Sequence, residues 1–177
     1  LQLHNGNILS YSKDKTLRLW ESDGMPITIL NRHSGSVKGA LQLRDGKILS
    51  WAIKRFDYSD EKPLQIWQTD GSVIVIRVGH SHFVEGAIQL QDGNILSWSQ
   101  DETLRLWHTN GMSISTLEGH SSSVTGAIQL QDNNILSWGT DKRMRLWQAD
   151  GTPINTLESL SDYSNGAIQL QNGNILS

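Results

Sequence analysis

"GNILSWSQDETLRLW", residues 93–107, is an apolar, strand-like stretch in which Ser97, Trp98, Asp101 and Trp107 stand at set positions. The pattern returns as "YSKDKTLRLW" over 11–20 and "WGTDKRMRLW" over 138–147. Two chemistries suit a serine, an aspartate and an upstream histidine such as His80 or His120: a hydrolase triad, or a buried fastening between strands. The function of the chain turns on which it is.

Working outward, the ten residues that open each copy align without gaps: "LQLHNGNILS" (1–10), "LQLRDGKILS" (41–50), "IQLQDGNILS" (88–97), "IQLQDNNILS" (128–137) and "IQLQNGNILS" (168–177). Their starts lie 40, 47, 40 and 40 residues apart. The chain is therefore one domain over 1–177, made of units 1–40, 41–87, 88–127 and 128–167 and a partial fifth, 168–177. Within a unit, "VTGAIQL" (124–130), "NILSWGT" (134–140), "RMRLWQA" (143–149) and "TPINTLE" (152–158) read as strands, and no stretch has a helical period. Asp-Gly or Asn-Gly pairs such as Asp45-Gly46, Asp92-Gly93 and Asn110-Gly111 supply hairpin turns, which need a residue at positive φ. Four antiparallel strands per unit of this length is the layout of a propeller blade. The predicted fold class is all-β, a β-propeller of four-stranded antiparallel blades, with about four blades present as part of a larger ring or a two-copy ring. The close identity of 86–107 and 126–147 suggests recent duplication.

The bulk properties narrow the partners. At 177 residues the chain can bury a core, and its net charge of -3 offers no basic footprint for nucleic acid. No apolar run approaches a membrane span. The absence of cysteine excludes disulfides and thiolate metal sites, and a cytoplasmic location is expected.

Gly79-His80 and Gly119-His120, the aspartates Asp14, Asp101 and Asp141, and Trp20, Trp107 and Trp147, each six positions after its aspartate, resemble the WD repeats, and the resemblance covers the whole chain. The Trp-Asp pair itself is absent, since Glu21, Gln68, His108 and Gln148 follow the tryptophans, and Leu160 stands where the fourth unit should carry its histidine. The resemblance implies that His80, Ser97, Asp101 and Trp107 form a hydrogen-bonded network joining the loop before the innermost strand to the second and third strands. It implies the same for His120, Ser137, Asp141 and Trp147, and in part for His33, Ser50 and Trp67 and for Ser10, Asp14 and Trp20. Such a network is physically sound, because buried polar groups are tolerated when all are satisfied and then rigidify what they join. A catalytic set would need an exposed serine and an oxyanion hole. The set instead recurs from unit to unit, and its serine lies inside "NILSW" and not on a Gly-flanked elbow. The expected reading is no enzyme, no catalytic residue, no metal and no cofactor.

Other clusters have plainer readings. His80 and His82 lack a cysteine or a carboxylate pair nearby to complete a metal site. Trp51, Trp98 and Trp138, with Tyr11 in the same place, recur as packing residues between blades and not as a ligand cage. Asp92 and Asp132 belong to turns.

Function on a repeat fold belongs where the repeats differ. From Trp51 to Trp67 the second unit is seven residues longer than Trp98 to Trp107, and the added length carries Lys54, Arg55, Phe56, Asp57, Tyr58, Asp60 and Glu61. Aromatics beside arginine have the composition of an interface anchor, against the plainer reading of a tolerated surface insertion. Lys13, Gln100 and Thr140, before the turn aspartates, also vary, as do the loops at 33–36, 80–83, 120–123 and 160–163, where His82, Phe83 and Tyr163 stand out. The resemblance makes this rim a partner-binding surface, and its mixed charge suits a protein or peptide. The expected function is a non-catalytic interaction scaffold or recognition module, the propeller portion of a larger protein. A lectin-like propeller and a hydrolase-type propeller are the rivals. The latter is poorly served by Lys38, Glu85, Thr125 and Asn165, the mixed set at matching positions of the innermost strands.

The ends leave three outcomes: an excerpt of a longer array, two copies joined head to tail through open ends, or four blades closing alone. If the surplus strand near 165–170 completed the first blade, residues 168–177 would compete with 1–10 for one place.

Overall fold

Short runs of leucine, isoleucine, valine and tryptophan, broken at every few residues by an Asx–Gly turn, cannot propagate a helix and pair instead as hairpins. A computed structural model of the chain describes residues 1–53, 63–68, 72–75, 79–158 and 166–176. Every regular element among them is a strand, so no described helix is long and apolar enough to cross a membrane.

The first blade holds β1 (Ile8–Tyr11), β2 (Leu17–Trp20) and β3 (Pro26–Leu30), with Gln2 bridged to Ile8 on its inner side. The second runs β4 (Val37–Gln42), β5 (Ile48–Ala52), β6 (Leu64–Trp67) and β7 (Val73–Val75) in that spatial order. The third comprises β8 (Val84–Gln89), β9 (Ile95–Ser99), β10 (Leu104–Trp107) and β11 (Ser113–Leu117), and the fourth β12 (Val124–Gln129), β13 (Ile135–Gly139), β14 (Arg143–Trp147) and β15 (Pro153–Glu158). A last hairpin pairs β16 (Ile168–Gln169) with β17 (Ile175–Leu176) in a sheet of its own. Leu1 meanwhile keeps its own place in the first blade, with its amino group donating to Leu9 O at 2.9 Å.

One turn design joins the first two strands of each unit. Leu43 N–H donates to Lys47 O at 2.8 Å, Gly46 N–H to Leu43 O at 2.9 Å, and the Asp45 carboxylate takes Lys47 N–H at 3.1 Å. Gly46 closes this turn at φ 87°, in the left-handed region where a side chain is disfavoured. The fourth blade puts Asn133 there at φ 69°, an exchange asparagine tolerates better than most residues.

The chain divides into two compact units, Leu1–Val84 with Asn110–Met112, and Glu85–Thr109 with Ser113–Ser177. In the first, Leu3, Leu9, Leu17 and Leu30 of the first blade pack on Val37, Ile48 and Trp67 of the second. In the second, Leu90, Leu96, Leu104, Leu106 and Leu117 of the third blade pack on Val124, Ala127, Ile135 and Trp147 of the fourth. Leu130, Leu136, Trp138 and Met144 of the fourth blade then meet Ala167. Within each compact unit the joint between blades is thus apolar, and Trp67 or Trp147 lies in it.

Glycine sets how closely strands approach their own tryptophans. Gly39 faces Trp51 and Gly126 faces Trp138 across the first strand pair, and a Cβ on either would run into the indole. Gly86 stands in the same relation to Trp98.

Candidate functional site

The most complete polar constellation described lies in the fourth blade. The register of β13 and β14 sets Ser137 opposite Arg145 and Ile135 opposite Trp147, so the Trp147 ring reaches back over Ser137. Trp147 Nε1–H donates to Ser137 Oγ at 2.9 Å. His120 approaches the same hydroxyl with Nε2 at 2.8 Å, and its Nδ1 lies 2.9 and 3.0 Å from the two Asp141 carboxylate oxygens. Ser121 N–H and Arg143 N–H also donate to that carboxylate.

These partners leave one consistent proton assignment. The carboxylate requires a proton on Nδ1, so Nε2 of the neutral ring accepts from the serine hydroxyl, whose oxygen in turn accepts the indole N–H. Burial holds the His120 ring below the ordinary histidine value, against the raising pull of Asp141 and with Arg145 and Arg143 adding to the depression. Burial alone would raise the Asp141 carboxyl, but hydrogen bonds from Ser121 N–H, His120 and Arg143 N–H outweigh it and hold the group low. Ring and carboxylate form a hydrogen bond between a neutral imidazole and an anion.

The second blade carries the histidine, serine and tryptophan of the same frame among its described residues. His33 Nε2 lies 2.7 Å from Ser50 Oγ, and Trp67 Nε1–H donates to the same oxygen at 2.8 Å. His33 Nδ1 is buried and makes no hydrogen bond among the described residues. Burial alone brings the ring down to about 4. Gln65 occupies the place that Arg145 holds in the fourth blade, opposite Ser50, and its amide donates to Arg32 O at 2.9 Å. Asp60 and Glu61, which stand near the missing aspartate in sequence, lie outside the described residues.

In the third blade Trp107 Nε1–H donates to Ser97 Oγ at 2.9 Å, and Asp101 accepts from Thr103 N–H at 3.1 Å and from its hydroxyl at 2.7 Å. His80 is buried. In the first blade the indole of Trp20 donates to Ser10 Oγ at 2.9 Å, whereas Asp14 takes Thr16 and the Arg18 guanidinium at 3.0 Å. The serine–indole bond is common to all four blades, and the histidine and aspartate are added to it.

What this can do chemically follows from access. Ser50, Ser97 and Ser137 are fully buried, and an indole N–H occupies an oxygen lone pair of each. Although Ser137, His120 and Asp141 reproduce the connectivity of a hydrolytic triad, the hydroxyl faces no solvent. Among the described residues no three His, Cys, Asp or Glu side chains stand close enough to hold a metal ion.

The residues expected to meet a partner are placed variously. Lys13 and Thr140 are exposed; Lys13 O accepts from the Ser36 hydroxyl at 3.2 Å, and Thr140 Oγ1–H donates to Ser122 Oγ at 2.8 Å. Gln100 is half-buried, its amide donating to Glu85. His82 and Phe83 pack as a tilted ring pair, centroids 4.6 Å apart. Arg55, Phe56 and Tyr58, with Tyr163, Leu160 and Asn165, lie outside the described residues.

A second device was not read from the sequence. The glutamine of the last four "LQL" or "IQL" runs spans a turn with its amide: Gln42 Nε2–H donates to Gly46 O, Gln89 to Gly93 O, Gln129 to Asn133 O and Gln169 to Gly173 O. Its carbonyl reaches the preceding repeat, taking His4 N–H for Gln42, Gln91 N–H for Gln129 and Gln131 N–H for Gln169, all at 2.7 Å. The available signal was the recurrence of a polar residue at that one strand position. Gln129 and Gln169, with Gln91 and Gln131, also line a shallow groove of about 330 Å³, between Ile128 and Ala167, that holds no titratable side chain.

Residues 111–148 match the model of the WD domain, G-beta repeat. Among solved structures, the chain is similar to the WD40 β-propeller domain of Doa1, at 27% identity with a TM-score of 0.72 over 96% of this chain. It spans 56% of the length of that domain. No curated protein sequence matches it.

Proposed function

With a WD repeat at 111–148 and blades of the WD40 β-propeller fold as the premise, we propose that the chain is a non-catalytic scaffold that binds a protein or peptide through its loops. Such propeller domains are in general protein-interaction scaffolds. The observation that carries the reading is the burial of Ser50, Ser97 and Ser137 under their indoles, which turns the apparent triads into fastenings. Recognition then falls to the loops that the fastenings hold, where the repeats differ. The His82–Phe83 pair and the exposed Thr140 and Lys13 are the described side chains that offer a partner aromatic and hydrogen-bonding contacts. The cysteine-free composition suits a reducing, cytoplasmic setting.

Two measurements test this. A fluorophosphonate probe should leave the chain unlabelled; stoichiometric labelling of Ser97 or Ser137 would overturn the non-catalytic reading. Peptides selected from a displayed library on the immobilised chain should lose binding on Phe83→Ala or Thr140→Ala. Selection of no peptide, or of peptides indifferent to both changes, would remove these loops as the contact surface.

A further inference from the structure

The turn that leads into the outermost strand of a blade is closed by an Asx–Gly pair, and one unit departs from the rest. Asp23-Gly24, Asp70-Gly71 and Asp150-Gly151 close it in the first, second and fourth units, whereas the third has Asn110-Gly111. The geometry is nevertheless shared among the described turns. Asp23 Oδ1 takes Met25 N–H at 3.0 Å, Asp150 Oδ1 takes Thr152 N–H at 2.8 Å, and Asn110 Oδ1 takes Met112 N–H at 3.0 Å. Gly24, Gly111 and Gly151 lie in the left-handed region, at φ 91°, 84° and 92°.

The Asx bond folds the carboxamide of Asn110 back over the peptide it shares with Gly111, so that Cγ is carried toward the Gly111 nitrogen. Glycine puts no Cβ beside that nitrogen. Asn110, Met112 and Ser113 are exposed, so water reaches the turn. By contrast, Asn94 and Asn134 precede Ile95 and Ile135, β-branched residues buried in β9 and β13. The turn also suits a negative charge. Thr152 N–H holds the Asp150 carboxyl below its ordinary value, and a carboxylate accepts a backbone N–H more strongly than an amide oxygen does.

We propose that Asn110 is a deamidation site, at which the third blade acquires the acidic turn that its three sibling units encode. The Gly111 nitrogen attacks Asn110 Cγ. The new N–C bond closes a five-membered imide, the Cγ–Nδ2 bond breaks, and Nδ2 leaves as ammonia with the proton from Gly111 N–H. Water then opens the imide. Addition at Cγ gives aspartate, which regains the Met112 N–H bond; addition at the main-chain carbonyl gives isoaspartate, whose extra backbone carbon unseats Gly111 from the turn. The net reaction consumes a water, releases ammonia and adds a negative charge to a chain of net charge -3. It uses no residue of the rim loops and is independent of the scaffold reading. Asn5-Gly6 and Asn172-Gly173, whose inner-turn counterparts include Asp45 and Asp92, present the same pair.

Peptide mapping by mass spectrometry tests the site, on the full folded chain held in mildly alkaline heavy-oxygen water. The peptide holding Asn110 should lose ammonia and take up a single heavy oxygen, while those holding Asn94 and Asn134 stay unchanged. Asn110→Gln should abolish the change at that position. The aspartate share of the product should exceed by about twofold or more that from the chain unfolded in urea, since only the folded turn offers Met112 N–H to the carboxylate. Asn110→Asp should hold or raise the denaturation midpoint. Asn110 left unconverted when the unfolded chain has reacted, or equal conversion at Asn94 and Asn134, overturns the proposal. A product ratio equal to that of the unfolded chain, or a midpoint lowered by Asn110→Asp, overturns the acidic seat.

Discussion

The second and fourth blades hold the same histidine, serine and tryptophan at nearly equal distances, yet only the fourth gives its histidine a carboxylate in the described structure. His33 sits as His120 does, with Nε2 on the serine, although its Nδ1 has no acceptor among the described residues. Among the described residues, the serine–indole bond is therefore the same with a carboxylate on the histidine and without one. The aspartate adds something separate, tying His120 and Ser121 to the turn that starts β14. The first blade repeats the bond, Trp20 Nε1–H donating to Ser10 Oγ at 2.9 Å.

The comparison can be broken most directly at the serine. Ser50→Ala and Ser137→Ala each strand a buried indole N–H and imidazole nitrogen, so both should cost about 2–4 kcal/mol, and similarly in the two blades. Hydrogen exchange in β5 and β13, read separately because the chain has two compact units, measures the cost; a large effect in one blade alone would end the idea of a common frame. Next comes Asp141→Ala, which makes the fourth blade resemble the second. Removing the acceptor of a buried N–H should cost about 2 kcal/mol, with loss of protection at Ser121 and Arg143 while the Trp147 bond persists. Protection lost equally at Trp147 Nε1 would show that the aspartate supports the frame after all.

Acid should separate the blades more gently. His33 has a folded value of about 4 against 6.5 unfolded, so protons bind the unfolded state more tightly. Its contribution is complete above the unfolded value and is lost as pH falls from there toward the folded value, about 1 kcal/mol between roughly pH 7 and 5.5. His33→Gln should flatten that slope in β5 exchange, and an unchanged slope would contradict it. The lowered Asp141 value acts in another window: its stabilisation is present above the ordinary carboxyl value of 3.8 and fades as pH falls through the lower folded one. The smallest change is Asn133→Gly. It gives the fourth blade the turn residue of the second and should gain about 0.5 kcal/mol by relieving φ 69°, measurable as a raised denaturation midpoint.

Much of this was legible because it is copied. The repeat starts, the Asx–Gly turns and the His120–Ser137–Asp141–Trp147 set stand out once the units are aligned, since a residue that recurs at one position in every blade serves the fold. Three features stayed hidden for physical reasons. A glutamine between two apolar strand residues reads as a solvent-facing position, and only its reach to a neighbouring backbone reveals Gln42 or Gln129 as a joint. Gly39 and Gly126 read as weak strand residues until the tryptophan that needs their missing side chain is placed opposite them. Asp14 carries the same sequence mark as Asp141, but its carboxylate takes Thr16 and Arg18, which no sequence mark distinguishes.

The glutamine joint also bears on how such a chain grows. Its carbonyl grips a main-chain N–H, and the residue carrying that N–H is His4 in one case and Gln91 or Gln131 in others. Side-chain identity on the receiving side is therefore free to drift. A unit inserted between two existing ones arrives with a donor for the neighbour after it and an acceptor for the neighbour before it, and no compensating substitution is needed in either. Neighbours are interchangeable at this contact, and the number of blades is open to change by copying alone.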